Sequence, residues 1–221
     1  MNAPAPRHVL ALLDDAAAAA DVIELSTALA QQLQRPLEVV YVESVPALVA
    51  AALPFTQVLA ETRAQWTTFA PQDVESGYRA QLARLREIAA RATTRRAVRW
   101  SLRTVRGVLA QAVVELHAES DLMVVGTAGV RPPALPRIAP VRRPLRIAVV
   151  TDDSPVGAQA REVAQQVATA LGGVLTVHRA SGDAAAAAAA RERHCDLFVL
   201  PRGLIAPAVL ATLARPALVV G

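Results

Sequence analysis

An α/β fold, a parallel sheet flanked by helices, follows from three observations on this 221-residue sequence. Continuous apolar runs of strand length end in acidic or glycine turn residues, as strands buried on both faces require. Stretches between them carry apolar residues at helical spacing. The pattern then restarts beyond a proline-rich stretch at 131–144, so the chain reads as two halves, 1–130 and 145–221.

Each element can be justified in order. Val9 to Leu13 is an apolar run that stops at Asp14 and Asp15. Val22, Leu25, Leu29 and Leu33 recur at helical spacing until Arg35-Pro36 ends the pattern, and Leu37 to Val42 is the next strand. Strand, helix, strand is the βαβ unit of a parallel sheet. Residues 47–68 predict a helix broken at Pro54, and Pro71-Gln72-Asp73 opens a longer one lined by Val74, Tyr78, Leu82, Leu85 and Ala89. Val98, Trp100 and Leu102 alternate with polar residues, which predicts a strand with one solvated face. A helix over Val108 to Leu116 and a buried strand from Asp121 to Val125 follow, ending in Gly126-Thr127-Ala128-Gly129.

Five prolines between 130 and 144 forbid a continuous helix or strand there. Beyond them Leu145 to Val150 is a strand, and a helix through Val156, Ala160, Val163 and Val167 closes at Gly172-Gly173. Val174 to His178 is a strand, Ala184 to Ala190 a helix by propensity, Asp196 to Leu200 a strand, Leu204 to Leu213 a short helix, and Ala217 to Val220 a strand.

These segments repeat. His8 to Asp15 answers Arg146 to Asp153, and the step from Asp14 to Tyr41 matches that from Asp152 to His178, about 26 or 27 residues each. Asp121 to Gly126 answers Asp196 to Pro201. Only the first copy has the extra helix and strand at 72–105, and only the second ends in a terminal helix and strand. The first copy therefore predicts a bare sheet edge, and covering it calls for a close arrangement of the halves or a second subunit.

On these residues the chain resembles a tandem member of the universal stress protein family, with a degenerate second half. The resemblance implies a flavodoxin-like doubly wound α/β fold. It also implies a non-catalytic regulatory or stress-associated role exercised by binding. In nucleotide-binding members a strand-ending Asp and a residue ending the second strand flank the adenosine, and a G-x-x-G loop begins the phosphate cradle. Asp14, Val42, Gly126 and Gly129 match those positions, so ATP or AMP is the cofactor the resemblance implies. The later G-[S/T] of that cradle would fall near Ala139-Pro140, where prolines lack the N–H groups an anion needs. In the second copy Pro201-Arg202-Gly203 replaces the loop.

Composition narrows the alternatives. At 53% hydrophobic and 19% charged, the chain is no intrinsically disordered segment. Its 3% aromatic content speaks against a base-stacking nucleic-acid platform. All 23 basic residues are arginine and the net charge is +4, so an Arg-mediated grip on nucleic acid or another anionic partner stands as an alternative function. The arginines of 79–106 read first as a solvated helix face and a guarded strand edge.

His8, His117, His178 and His194 lack metal-ligand spacing, and Cys195 beside His194 has no visible catalytic partner. No catalytic or metal residue is therefore assigned. Asp14-Asp15 and Asp152-Asp153 read as helix-capping groups rather than acid/base pairs, with Ser154 as N-cap and Pro155 at the first helical position. A lone Cys and an N-terminal apolar run too short for a signal segment predict a cytoplasmic protein. Val45 to Ala60 and Leu204 to Gly221 are interrupted by prolines and too short to span a bilayer, so no membrane insertion is expected. The first of them reads as a surface or homodimer contact.

Overall fold

A computed structural model describes residues 8–16, 19–54, 56–60, 65–68, 70–126, 144–180, 184, 195–210, 213 and 215–221. In chain order they form β1 (Val9–Leu13), α1 (Ala19–Gln32), β2 (Leu37–Ser44), α2 (Val45–Ala52), β3 (Gln57–Ala60) and β4 (Gln65–Thr68). There follow α3 (Pro71–Arg96), β5 (Trp100–Gly107), α4 (Leu109–Leu116), β6 (Leu122–Gly126), β7 (Arg146–Thr151) and α5 (Pro155–Leu171). The rest is β8 (Val174–Arg179), β9 (Leu197–Pro201), α6 (Pro207–Leu210) and β10 (Ala217–Val220). The expected proline linker, apart from Pro144, and the helix at Ala184 to Ala190, apart from Ala184, lie outside the described residues.

Eight strands make one sheet in the order β5-β2-β1-β6-β10-β9-β7-β8. The sheet is mixed, which corrects the expectation of wholly parallel sheets: β10 runs antiparallel to β6 and parallel to β9. Val125 faces Ala217 and Leu122 faces Val220 across that joint. The edge that the sequence leaves bare on β6 is thereby covered by β10.

Burial explains why the strands read so clearly. β1, β6, β9 and β10 are buried at every residue, whereas β5 and β8, at the two outer edges, alternate with exposure. Helices α1, α3 and α5 pack one face around Leu13, Ile23, Leu85, Val149 and Ala164. Helices α4 and α6 cover the other around Leu12, Val113, Phe198 and Leu210. Each large side chain so removed from water contributes roughly 1.5–3 kcal/mol.

One element departs from expectation. The helix predicted through 47–68 stops at Ala52, and β3 pairs antiparallel with β4 as a separate hairpin. Leu53, forced extended by the proline after it, ends the helix at φ −72, ψ 137. Thr56, Val58, Trp66, Thr67 and Thr68 then favour extended backbone.

Candidate functional site

Open α/β sheets accept ligands at the carboxyl ends of their parallel strands. Because β10 reverses direction at the joint, the carboxyl ends of β5, β2, β1 and β6 lie at one end of the sheet, and those of β9, β7 and β8 at the other.

At the first end, Leu13 pairs with Tyr41 on β2 and with Gly126 on β6. Asp14, Val42 and Gly126 therefore arrive together on adjacent strands, while Gly129 lies outside the described residues. β2 continues alongside β5 to the Ser44–Gly107 pair, three positions beyond the last β1 partner. It forms a ledge next to Asp14. The Val42 side chain is buried against the α4 face, so only its backbone can meet a ligand.

Gly126 has a structural cause. A Cβ there would sit 2.4 Å from Val22 Cγ2 and 2.8 Å from Leu13 Cδ2, so glycine is what lets α1 lie this close to β6. On the α3 side of the same end, Tyr41 donates its hydroxyl to Gln81 Oε1 at 2.9 Å, and the Ala16 N–H donates to the same oxygen at 3.3 Å. Burial, then the nearby Tyr78, holds the Tyr41 hydroxyl above its ordinary pKa, so it stays a donor. Tyr78 meets Tyr41 edge-on at 6.2 Å between ring centroids and donates to the Ser44 carbonyl at 2.9 Å. Gln81, which sequence reasoning passed over, ties the turn after β1 to β2 through these two bonds. Its only signal was a polar residue three positions after a buried Tyr.

The second end is an open groove of about 490 Å³ lined by Thr151, Asp152, Asp153, Ser154, Arg161 and Arg179. Ser154 caps α5 by accepting from the Gly157 N–H at 3.0 Å, with Pro155 in the first turn, as the sequence predicts. Asp152 supports the cap rather than forming it: its Oδ1 accepts from the Ser154 hydroxyl at 2.5 Å and from the Ser154 N–H at 3.2 Å. These bonds to Ser154 hold the Asp152 carboxyl below the usual range. A Cβ on Gly157 would lie 2.5 Å from the Asp152 carbonyl oxygen, so glycine lets the turn fold back onto the helix. Arg161 and Arg179 were not singled out from the sequence, since only the fold brings α5 and β8 together.

Among the described residues no three His, Cys, Asp or Glu side chains gather to hold a metal ion, and no helix is long and apolar enough to cross a membrane. His8 contacts Glu38 at 2.9 Å, and Cys195 is buried. His194 lies outside the described residues. His117 is pushed down to about 4 by burial and then by Arg202, whose guanidinium donates to the His117 carbonyl at 2.7 Å. The guarded-edge reading of the β5 arginines holds: Arg103 meets Glu38 at 3.0 Å and Glu119 at 2.6 Å, and Arg106 meets Glu43 at 2.9 Å.

No protein-family model and no curated protein matches the chain. Among solved structures it is similar to a universal stress protein from Archaeoglobus fulgidus, at 12% identity and a TM-score of 0.47, over 97% of this chain and 96% of that one. It is also similar to a universal stress protein in complex with cAMP, at 13% identity and a TM-score of 0.33, over 79% of this chain and 98% of that one.

Proposed function

We infer that the protein is a non-catalytic regulatory binding protein, of two universal-stress-like halves (1–130 and 145–221), that takes an adenine nucleotide by its adenosine end. The observation that carries this reading is the register that sets Asp14, Val42 and Gly126 at one end of three adjacent strands. A carboxylate beside the free ledge of β2 can accept from ribose hydroxyls or an adenine amine. Gly126 is required by α1 packing, which leaves little in the described residues to hold distal phosphates.

Calorimetry with adenosine, AMP and ATP tests it. Binding should be similar for AMP and ATP, be abolished by Asp14→Ala and be unchanged by Asp152→Ala. ATP binding at least about tenfold tighter than AMP, a 1.4 kcal/mol preference, overturns it. A second reading, an anionic partner, is favoured by Arg84, Arg86 and Arg91, exposed on α3 with no ion pair among the described residues. Heparin retention that weakens steeply with salt supports it, and no retention at low salt removes it.

A further inference from the structure

The turn after β9, Pro201-Arg202-Gly203, replaces the glycine loop of the first half and lies at the opposite end of the sheet from Asp14. Gly203 takes φ 77, a left-handed turn that leads the chain back towards Ile205 and α6. Helix α6 is a single turn, Pro207–Leu210, and a space remains between it and α4. This is a cavity of about 170 Å³ walled by Val113, Leu200, Ile205, Leu210 and Val219.

Of the side chains lining it only His117 and Arg202 are polar, and neither is acidic. Arg202 is held in place. A Cβ on Gly221 would sit 2.7 Å from its Nε, so glycine there lets the arginine lie across the end of β10, and its Nη2 donates to the His117 carbonyl at 2.7 Å. A cation at the carboxyl end of α4 is favoured by that helix's dipole. The contact uses Nη2 alone. Among the described residues Nε and Nη1 have no hydrogen-bond partner, and no carboxylate pairs with the guanidinium. His117 Nδ1 is likewise buried without a partner. Native interiors leave few buried polar atoms unpaired, and this one belongs to a ring that lines a cavity. Burial, then Arg202, keeps His117 neutral at pH 7, so the site presents one positive charge and not two.

We propose that the cavity binds a small monocarboxylate with a compact apolar body, the size of benzoate or a branched short-chain acid, its carboxylate held by Arg202 and His117 and its body among Leu200, Ile205 and Val219. One guanidinium fork complements one carboxylate, and a neutral imidazole can add an N–H to it. A phosphate ester brings a second negative charge that nothing in the lining meets. The ammonium group of an amino acid would be buried with no acid to receive it. Size follows from the walls, since an apolar cavity of roughly 150 Å³ holds a benzene ring. The site does not depend on any nucleotide at the β1 end.

Methyl NMR titration of the full chain with benzoate, and with its neutral isostere benzamide, tests it. Benzoate should shift the methyls of Val113, Leu200, Ile205 and Leu210, saturate with a dissociation constant of about 1 mM or below, and bind at least about tenfold more tightly than benzamide. Arg202→Gln should remove that preference while benzamide still binds, which also shows that the variant is folded. Should it not fold, the comparison of the two ligands on the wild type still decides. Val114→Trp, on the rim at a position 60% exposed, should weaken both ligands with unchanged far-UV circular dichroism. Asp14→Ala should leave benzoate binding intact, which separates failure here from failure of the adenosine site. No saturable shift at those methyls up to about 10 mM overturns the proposal. So does benzamide that binds as well as benzoate, or a benzoate preference that survives Arg202→Gln.

Discussion

The turn after β1 and the turn after β7 carry matching sequences, Leu-Leu-Asp-Asp and Val-Thr-Asp-Asp, yet one is tied to a helix beside it and the other lines an open groove. The difference comes from what lies beside them. At the β1 end α3 sends Gln81 over the turn, where it ties Ala16 to Tyr41. At the β7 end the acid bonds to the N-cap of its own helix, and the wall is completed by Arg161 and Arg179. A repeated motif therefore predicts a repeated turn. It does not predict repeated surroundings, because α3, which supplies Gln81, packs beside only one of the two turns.

Two glycines give the largest test of that contrast. Gly157→Ala pushes a methyl into the Asp152 backbone carbonyl, which cannot yield without moving the turn, and should cost about 2–3 kcal/mol in denaturant unfolding. Gly126→Ala meets only the Val22 and Leu13 side chains and should cost about 1–2 kcal/mol. If Gly126→Ala proves the more damaging, the β7 turn is not the more tightly built of the two.

Smaller effects should follow from the polar links. Ser154→Ala removes the cap of α5 and should cost about 1 kcal/mol. Tyr41→Phe removes one donor from Gln81 and should also cost about 1 kcal/mol. Hydrogen exchange distinguishes them, because Tyr41→Phe should in addition loosen the β1 end and raise amide exchange at Ala16, while Ser154→Ala should leave Ala16 unchanged.

The smallest effect is on acid stability. Asp152 is held below its usual value of about 3.8 in the folded chain. Its contribution is therefore present above that value and is lost as pH falls through the lower, folded one. A stability profile taken below pH 4 should flatten in Asp152→Asn, and also in Ser154→Ala, which removes the bonds responsible. An unchanged acid limb in both variants would show that the Asp152–Ser154 link does not distinguish the two turns.

Legibility followed the range of the cause. The runs Val9 to Leu13, Leu122 to Gly126 and Leu197 to Leu200 announce themselves because both faces of each strand are buried, so every position is apolar. Ser154-Pro155 and Gly172 could be read as helix ends because capping is local, and Gly172 indeed adopts φ 62. The β3–β4 hairpin was misread because alanine and leucine around Thr56 to Ala60 suit a helix as well as a strand. Gly126 stood out as special, but its cause is Val22, more than a hundred positions earlier. The groove was invisible for the same reason: Arg161 and Arg179 become neighbours only through the crossover that carries α5 over β7.

The antiparallel joint has a kinetic consequence. β10 follows every other strand in sequence, yet it sits between β6 and β9 as the bridge of the whole sheet. Until it is in place, β6 and β9 each present an unsatisfied backbone edge, and neither block of strands is finished. Contacts of such wide sequence separation form late and slowly, since loop-closure entropy must be spent before they contribute. Folding should therefore end in a single concerted locking step, and equilibrium unfolding should run as one cooperative transition rather than as two independent melts.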